Sequence, residues 1–364
     1  MRHNFGDIQI DFPVWLVIIG GFVTAFFLTY IVIPSIVKVS GIKGLYDEPN
    51  HRTSHLGNVP TLGGSAVFIG FILTISVFSG HGIDHELKYI FGALLILFFI
   101  GIKDDILIID PRKKLVAQVL AASIISILGN IRLTNLHNIL GIGEISYLSS
   151  ILLTILVVVF IINGFNLIDG IDGLASGTGI IASLFFGFWF LFAGFISYSL
   201  MSFALAGSLF AFFKFNVFGK ENKIFLGDTG SLIIGLIISV LAIRFLEYDH
   251  NVTGKWHVES APAIVFGVLI IPLFDTLRIM LIRTMQGNSP FNPDRQHVHH
   301  RMLELGNSHL RSTLIISGFN LFFIATTLSL QSIGIFWLVI LQLILASAVS
   351  FIPVYLVKYR KVKE

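Results

Sequence analysis

Eleven apolar runs of roughly 17–25 residues punctuate this chain, each long enough to cross a hydrocarbon core about 30 Å thick. They fall near 13–37, 61–79, 87–103, 114–130, 147–163, 174–193, 195–213, 230–247, 261–283, 313–330 and 332–357. A chain that is 55% hydrophobic and 12% charged, with mean hydropathy +0.87, would expose far too much apolar surface in water. The expected fold is therefore an all-α integral membrane protein of about eleven transmembrane helices. The first run is too long and too rich in Phe for a cleavable signal, and it lacks a small-residue cleavage site, so it counts as a span. No repeat or interdomain linker is visible, which makes residues 1–364 a single polytopic domain.

Lys and Arg set the orientation. The segments around 38–60, 103–114, 214–229, 278–312 and 358–364 hold 19 of the 24 basic residues. By the positive-inside rule these segments are cytoplasmic, giving an outside N-terminus and a cytoplasmic C-terminus, as an odd number of spans requires. The net charge of +3 is mostly this asymmetry, and no basic stripe interleaved with aromatics points to nucleic acid. With no Cys in the chain, disulfides and thiolate metal sites are excluded.

Asp104, Asp105, Asp169, Asp172 and Asp228 border these apolar runs, and the predicted topology puts all five on the cytoplasmic side. Carboxylates gathered near hydrocarbon more often serve an ion, a proton or a charged substrate than the fold. In Asp104-Asp105 the adjacent acids repel, which suits a general base or a metal neighbour. Between 163 and 173, Asn163, Asn166, Asp169 and Asp172 recur every third residue and stay on neighbouring helix faces, with glycines at 164, 170 and 173 among them. Phe225-Leu226-Gly227-Asp228-Thr229-Gly230-Ser231 opens the eighth span with an acid and two hydroxyls, which cap a helix or support a metal-bound phosphate.

Cations complement the acids. The first cytoplasmic loop offers Arg52 and His55 in a turn rich in Pro and Gly, which could face an anion or lipid headgroups. The longest loop ends Asp294-Arg295-Gln296-His297-Val298-His299-His300-Arg301. Three His at this spacing invite a zinc reading, but the flanking Arg residues repel a dication and welcome a diphosphate, so phosphate binding is preferred. Carboxylates for a metal beside cations for phosphate are what phosphoryl transfer needs. An ion-coupled transporter also gathers carboxylates and broken helices, but its polar residues lie near the midplane and its halves repeat.

In five motifs, in order, the chain resembles the polyprenyl-phosphate N-acetylhexosamine-1-phosphate transferases: Pro49-Asn50 to Gly63-Gly64, Asp104-Asp105, Asn163 to Gly173, Phe225 to Ser231, and Ser289-Pro290-Phe291 to His300-Arg301. The resemblance implies a Mg²⁺-dependent enzyme, with Mn²⁺ as a substitute, that moves a sugar-1-phosphate from a UDP-N-acetylhexosamine to undecaprenyl phosphate. It would do so in the bacterial cytoplasmic membrane, among membrane lipids, as a monomer or homodimer, and start a cell-envelope glycan such as lipopolysaccharide or teichoic acid. Carried over residue by residue, Asp228 corresponds to the Mg²⁺-binding Asp and Asn166 to a second ligand. Asp104 and Asp105 match paired acids that assist the lipid phosphate, and His297 joins the catalytic set. Asp172 and Phe225 match positions that hold and stack on uridine. Lys114, Asn163, Asp169, Arg295, His299, His300 and Arg301, with Arg52 and His55, fall to substrate binding. The His-x-His-His-Arg pattern looks more like the GlcNAc branch than the pentapeptide translocase, which remains the alternative. The chain departs from the family at Gly219-Lys220-Glu221-Asn222, where relatives carry a shorter turn containing Pro.

Overall fold

A computed structural model describes residues 2–5, 8–11, 13–46, 59–78, 84–107, 109–250, 252, 254–287 and 297–363. Thirteen helices account for most of them: α1 Val14–Lys43, α2 Gly63–Phe78, α3 Asp84–Leu107, α4 Pro111–Ser123, α5 Tyr147–Ile168, α6 Leu174–Ala193, α7 Ile196–Phe218, α8 Gly227–Asp249, α9 Ala261–Val268, α10 Ile270–Met285, α11 Val298–Glu304, α12 His309–Ser329 and α13 Ile335–Lys363. Two short antiparallel hairpins, β1–β2 (Arg2–Phe5, Ile8–Asp11) and β3–β4 (Asn135–Ile139, Ile142–Glu144), complete the set.

Local chemistry fixes the helix starts. Asp110 caps α4 by accepting from the Arg112 N–H at 2.8 Å, with Pro111 at the first helical position. Ser146 and Ser308 cap α5 and α12 in the same way.

Cross-helix contacts show that the helices run back and forth between two ends of one bundle. At one end Glu86 of α3 meets Arg244 of α8, and Ser260 before α9 reaches the Gln331 carbonyl after α12. At the other, Asp105 of α3 meets the start of α8, and the Asp172 turn after α5 meets His309 of α12. The five carboxylates expected to share one side do lie at this second end. Helix α8 is the axle: 94% of its apolar window is buried, against 22% for α13, whose outward face is left to lipid. Among the described residues, seven helices are long and apolar enough to cross a membrane, or eight if α9 and α10 form one broken span.

The segment read as one continuous span over 261–283 is broken. α9 and α10 meet at Leu269 at an angle of 81°. The last carbonyls of α9 do not go unsatisfied, because the Asn320 amide of α12 donates to Gly267 and Val268 at 3.3 and 3.1 Å. Gln342 of α13 donates to the Ala263 carbonyl at 3.0 Å.

Candidate active site

The site forms where three helix ends touch backbone to backbone. A Cβ on Gly64 would fall 2.1 Å from the Gly230 nitrogen, and one on Gly101 would fall 2.5 Å from Thr229 Cα. Only glycines let α2 and α3 come this close to the first turn of α8. The approach is stitched by N–H groups of Gly63 and Gly64 donating to the Phe225 and Leu226 carbonyls at 2.9 and 2.8 Å. Gly227 adopts φ +72°, and a side chain there would collide with the Thr61 carbonyl and with Asp105.

The paired acids part company here. Asp105 accepts from the N–H groups of Asp228 at 2.6 Å and Thr229 at 3.1 Å, and from the Thr229 hydroxyl at 2.5 Å. It thus caps α8 from another helix, where the helix dipole favours a negative charge. Asp104 turns the other way. It accepts from the Ile109 N–H at 2.7 Å and lies 3.2 Å from Lys114 Nζ, which also pairs with Asp228. Asn166 donates to Asp228 and, at 2.9 Å, to the Ser231 hydroxyl. Of the three basic residues that open α4, Arg112 and Lys113 are exposed, and Lys114 alone reaches the carboxylates. Burial, followed by the charges of Asp228, Asp105 and Asp172, pushes the Asp169 carboxyl well above its usual range, against the pull of Lys114. Among the described residues, Asp104 and Asp228 therefore share the Lys114 ammonium, with Asp169 close enough to feel Asp228, Asp105 and Lys114.

Asn163 is not part of that crowd. Its amide donates to Gln118 of α4 and to the Val159 carbonyl, both at 2.8 Å, and so ties two helices together one turn below. The regular spacing from 163 to 172 does not become one polar face, because α5 ends at Ile168 and Asp169 to Gly173 form a turn.

Asp172 and Phe225 do meet, through a residue that sequence reasoning missed. Lys223 Nζ lies 2.7 Å from Asp172 and 5.7 Å from the centre of the Phe225 ring. His309 approaches the same Asp172 oxygen at 3.4 Å. Burial opposes ionisation of Asp172, but the hydrogen bonds from His309 and Lys223 outweigh it and hold the carboxyl below the usual range.

The histidines face separate partners. His297 Nδ1 is 2.8 Å from Asp275, a lone acid of α10 that also binds Arg278 at 2.8 Å. Sequence reasoning also missed Asp275; an acid inside an apolar run, with Arg278 three residues on, is the signal that could have found it. His299 is 2% exposed and packs on the Asp169-Gly170 turn, where a Cβ on Gly170 would lie 2.3 Å from its Nε2. Burial, then the neighbouring His300 charge, lowers the His299 pKa to about 3, which favours the neutral ring. The His300 ring lies 4.3 Å from that of His299, and Arg301 pairs with Glu304 of its own helix at 3.0 Å. Arg52, His55 and Arg295 lie outside the described residues.

Oxygen donors on Asp228 and Asn166 suit Mg²⁺ chemistry, and the cation now beside Asp228 is the Lys114 ammonium.

Residues 87–246, from α3 to the end of α8, match the family described as glycosyl transferase family 4. The chain is 31% identical over 287 residues to the undecaprenyl-phosphate alpha-N-acetylglucosaminyl 1-phosphate transferase of Escherichia coli K12, covering 77% of this chain and 75% of that one. The Salmonella typhi protein of the same name is 31% identical over 302 residues, 81% of this chain and 79% of its own. To the decaprenyl-phosphate N-acetylglucosaminephosphotransferase of Mycobacterium tuberculosis H37Rv the identity is 31% over 314 residues, 80% and 77% of the two chains. The matched stretch contains the whole acidic end of α3, α5 and α8, and the chain belongs to the polyprenyl-phosphate N-acetylhexosamine-1-phosphate transferases, membrane enzymes that pass a phosphosugar to a polyprenyl phosphate.

Proposed function

We propose that this protein transfers N-acetylglucosamine-1-phosphate from UDP-N-acetylglucosamine to undecaprenyl phosphate, releasing UMP, at the cytoplasmic face of a bacterial cytoplasmic membrane. The observation that carries this reading is the convergence of Asp104, Asp105, Asp169 and Asp228 at one end of the bundle, where Asp104 and Asp228 share the Lys114 ammonium. Such an excess of carboxylate at the edge of a membrane bundle is suited to a cation and the phosphates that accompany it. The relatives are named for transfer of N-acetylglucosamine phosphate to a polyprenyl phosphate, the same sugar and the same acceptor class.

Asp228 and Asn166, with its amide turned to present oxygen, would hold a Mg²⁺ ion, for which Mn²⁺ could substitute. Such an ion, when bound, neutralises charge on the diphosphate. An oxygen of the lipid phosphate forms a bond to the β-phosphorus, the bond from that phosphorus to the bridging oxygen breaks, and UMP departs with the electron pair. Lys114 is placed to turn from the carboxylates to the phosphoryl oxygens. Asp104 is the better of the pair to take a proton from the lipid phosphate, since Asp105 is held by three donors at the start of α8. Asp275 and His297 position the loop that carries His299 under the Asp169 turn.

Mass spectrometry of lipid products after incubation with undecaprenyl phosphate and a panel of UDP-sugars tests the assignment. The expected product is undecaprenyl diphosphate linked to GlcNAc, formed with added Mg²⁺ and without stoichiometric zinc; a product from another sugar alone would overturn the donor.

A further inference from the structure

The loop that departs from the family's shorter turn delivers a lysine to the donor side of the site. Lys223 Nζ is 2.7 Å from Asp172 Oδ2 and 5.7 Å from the centre of the Phe225 ring. Its neighbours are fixed. Asn216 accepts from the Gly173 N–H at 2.7 Å and donates to the Ile224 carbonyl at 3.0 Å, which ties the Asp172 turn to the segment bearing Lys223. Thr313 of α12 donates to the Asp172 carbonyl at 2.8 Å, and His309 approaches the Asp172 carboxylate. Only the lysine stem is free to re-aim, with its side chain 28% exposed against 10% for Asp172.

In this position the ammonium makes two contacts that a nucleobase would make. It stands over an aromatic ring, as a stacked base would, and it donates to a carboxylate, as a polar base edge or a ribose hydroxyl would.

We propose that Lys223 is a donor-recognition residue that occupies the nucleobase position in the nucleotide-free protein and moves onto the diphosphate when the base takes Phe225 and Asp172. The proposal rests on the assignment of Phe225 and Asp172 to uridine made above. Displaced from both partners at once, a partly buried ammonium needs another anion. The acids deeper in the site already share Lys114, and the anion that arrives with the base is the diphosphate itself. A lysine suits the task better than an arginine, because a point charge on a flexible stem re-aims without matching a planar fork.

Lys223 should therefore act in opposite senses on two ligands. It competes with the base but attracts the phosphates. Equilibrium binding of uridine and of UDP to the full-length protein in nanodiscs, wild type against Lys223→Met, separates the two effects. UDP affinity is expected to fall about tenfold, the loss of one charge-assisted contact. Uridine, which carries no phosphate, is expected to bind as tightly or more tightly, and Lys223→Arg should recover part of the UDP affinity. An equal loss for both ligands would make Lys223 a strut for Asp172 and overturn the proposal, as would unchanged UDP binding. Failure of the wild-type protein to bind UDP is a different result, which removes the uridine assignment itself.

Discussion

At its first turn α8 gathers Asp105, Asp169 and its own Asp228, and there Asp104 and Asp228 share one ammonium, that of Lys114. Near its last turns the same helix presents Arg244, which meets a single acid. Arg244 pairs with Glu86 at 2.7 Å, donates to Tyr198 at 3.0 Å and to the Asn130 carbonyl at 3.4 Å, while Tyr198 donates to Glu86. Close by, Glu247 accepts from the N–H and the hydroxyl of Thr134, both at 2.7 Å, which moors the segment leading into β3. Both clusters are polar and near hydrocarbon, yet among the described residues Arg244 answers Glu86 one for one, whereas two carboxylates share Lys114. An ion pair matched one for one serves the structure; acids that outnumber their cation suit a charged ligand.

That contrast breaks most easily at Asp228. Asp228→Asn keeps the size but removes a charge from the crowded end, so transfer activity should fall by roughly 10³-fold, about 4 kcal/mol of transition-state stabilisation. Thermal stability in detergent should fall far less than activity, because Asn gives up the ion pair with Lys114 but keeps an oxygen for the Asn166 and Lys114 donors. If the melting temperature falls in step with activity, the acidic end is structural too and the contrast is lost.

The opposite end should answer in reverse. Glu86→Gln leaves Arg244 without its counter-charge, and the expected cost is roughly 2–3 kcal/mol of stability, less than for a fully buried pair because Glu86 is 23% exposed. Turnover per folded molecule should be unchanged. A variant with normal melting and impaired turnover would move part of the function to this end.

The smallest effect sharpens the boundary between packing and chemistry inside the site. Because burial holds the His299 pKa at about 3, below the unfolded value of 6.5, this group's contribution is fully present above pH 6.5 and is lost as pH falls toward 3. Between pH 7.5 and 6 the loss amounts to under about 1 kcal/mol. Melting curves of wild type and His299→Gln should therefore converge as pH falls through this window. Parallel curves would mean that His299 is charged in the folded protein and available to phosphate after all.

Much of this was legible in the sequence, for physical reasons that also mark where legibility stops. Hydropathy locates helices because lipid forces the backbone to bond within each segment, and charge at the ends of those segments located Asp104, Asp228 and the Asp169–Asp172 turn. What a carboxylate does once there depends on its partners. Asp104 and Asp105 are adjacent in sequence and opposite in role because successive helical positions point about 100° apart. Residue type and spacing alone did not tell Lys114 from Lys113, nor Asn163 from Asn166, and only the family resemblance separated them, since each difference is decided by one helical face meeting a particular neighbour. Lys223 was hidden in a loop that looked like an irregular insertion.

The break between α9 and α10 bears on how the protein is made. The terminal carbonyls of α9 are bonded by Asn320, and the Ala263 carbonyl by Gln342, side chains that follow more than fifty residues later in the chain. Until those helices insert, nothing in the hydrocarbon replaces the hydrogen bonds that bending removes, and an unbent segment satisfies its own backbone better. The 81° turn is then a late event of assembly, and so is the pairing of Asp275 on α10 with His297 at the start of α11. A chain truncated before α12 would leave the ribosome with its acidic residues in place and its active site unassembled.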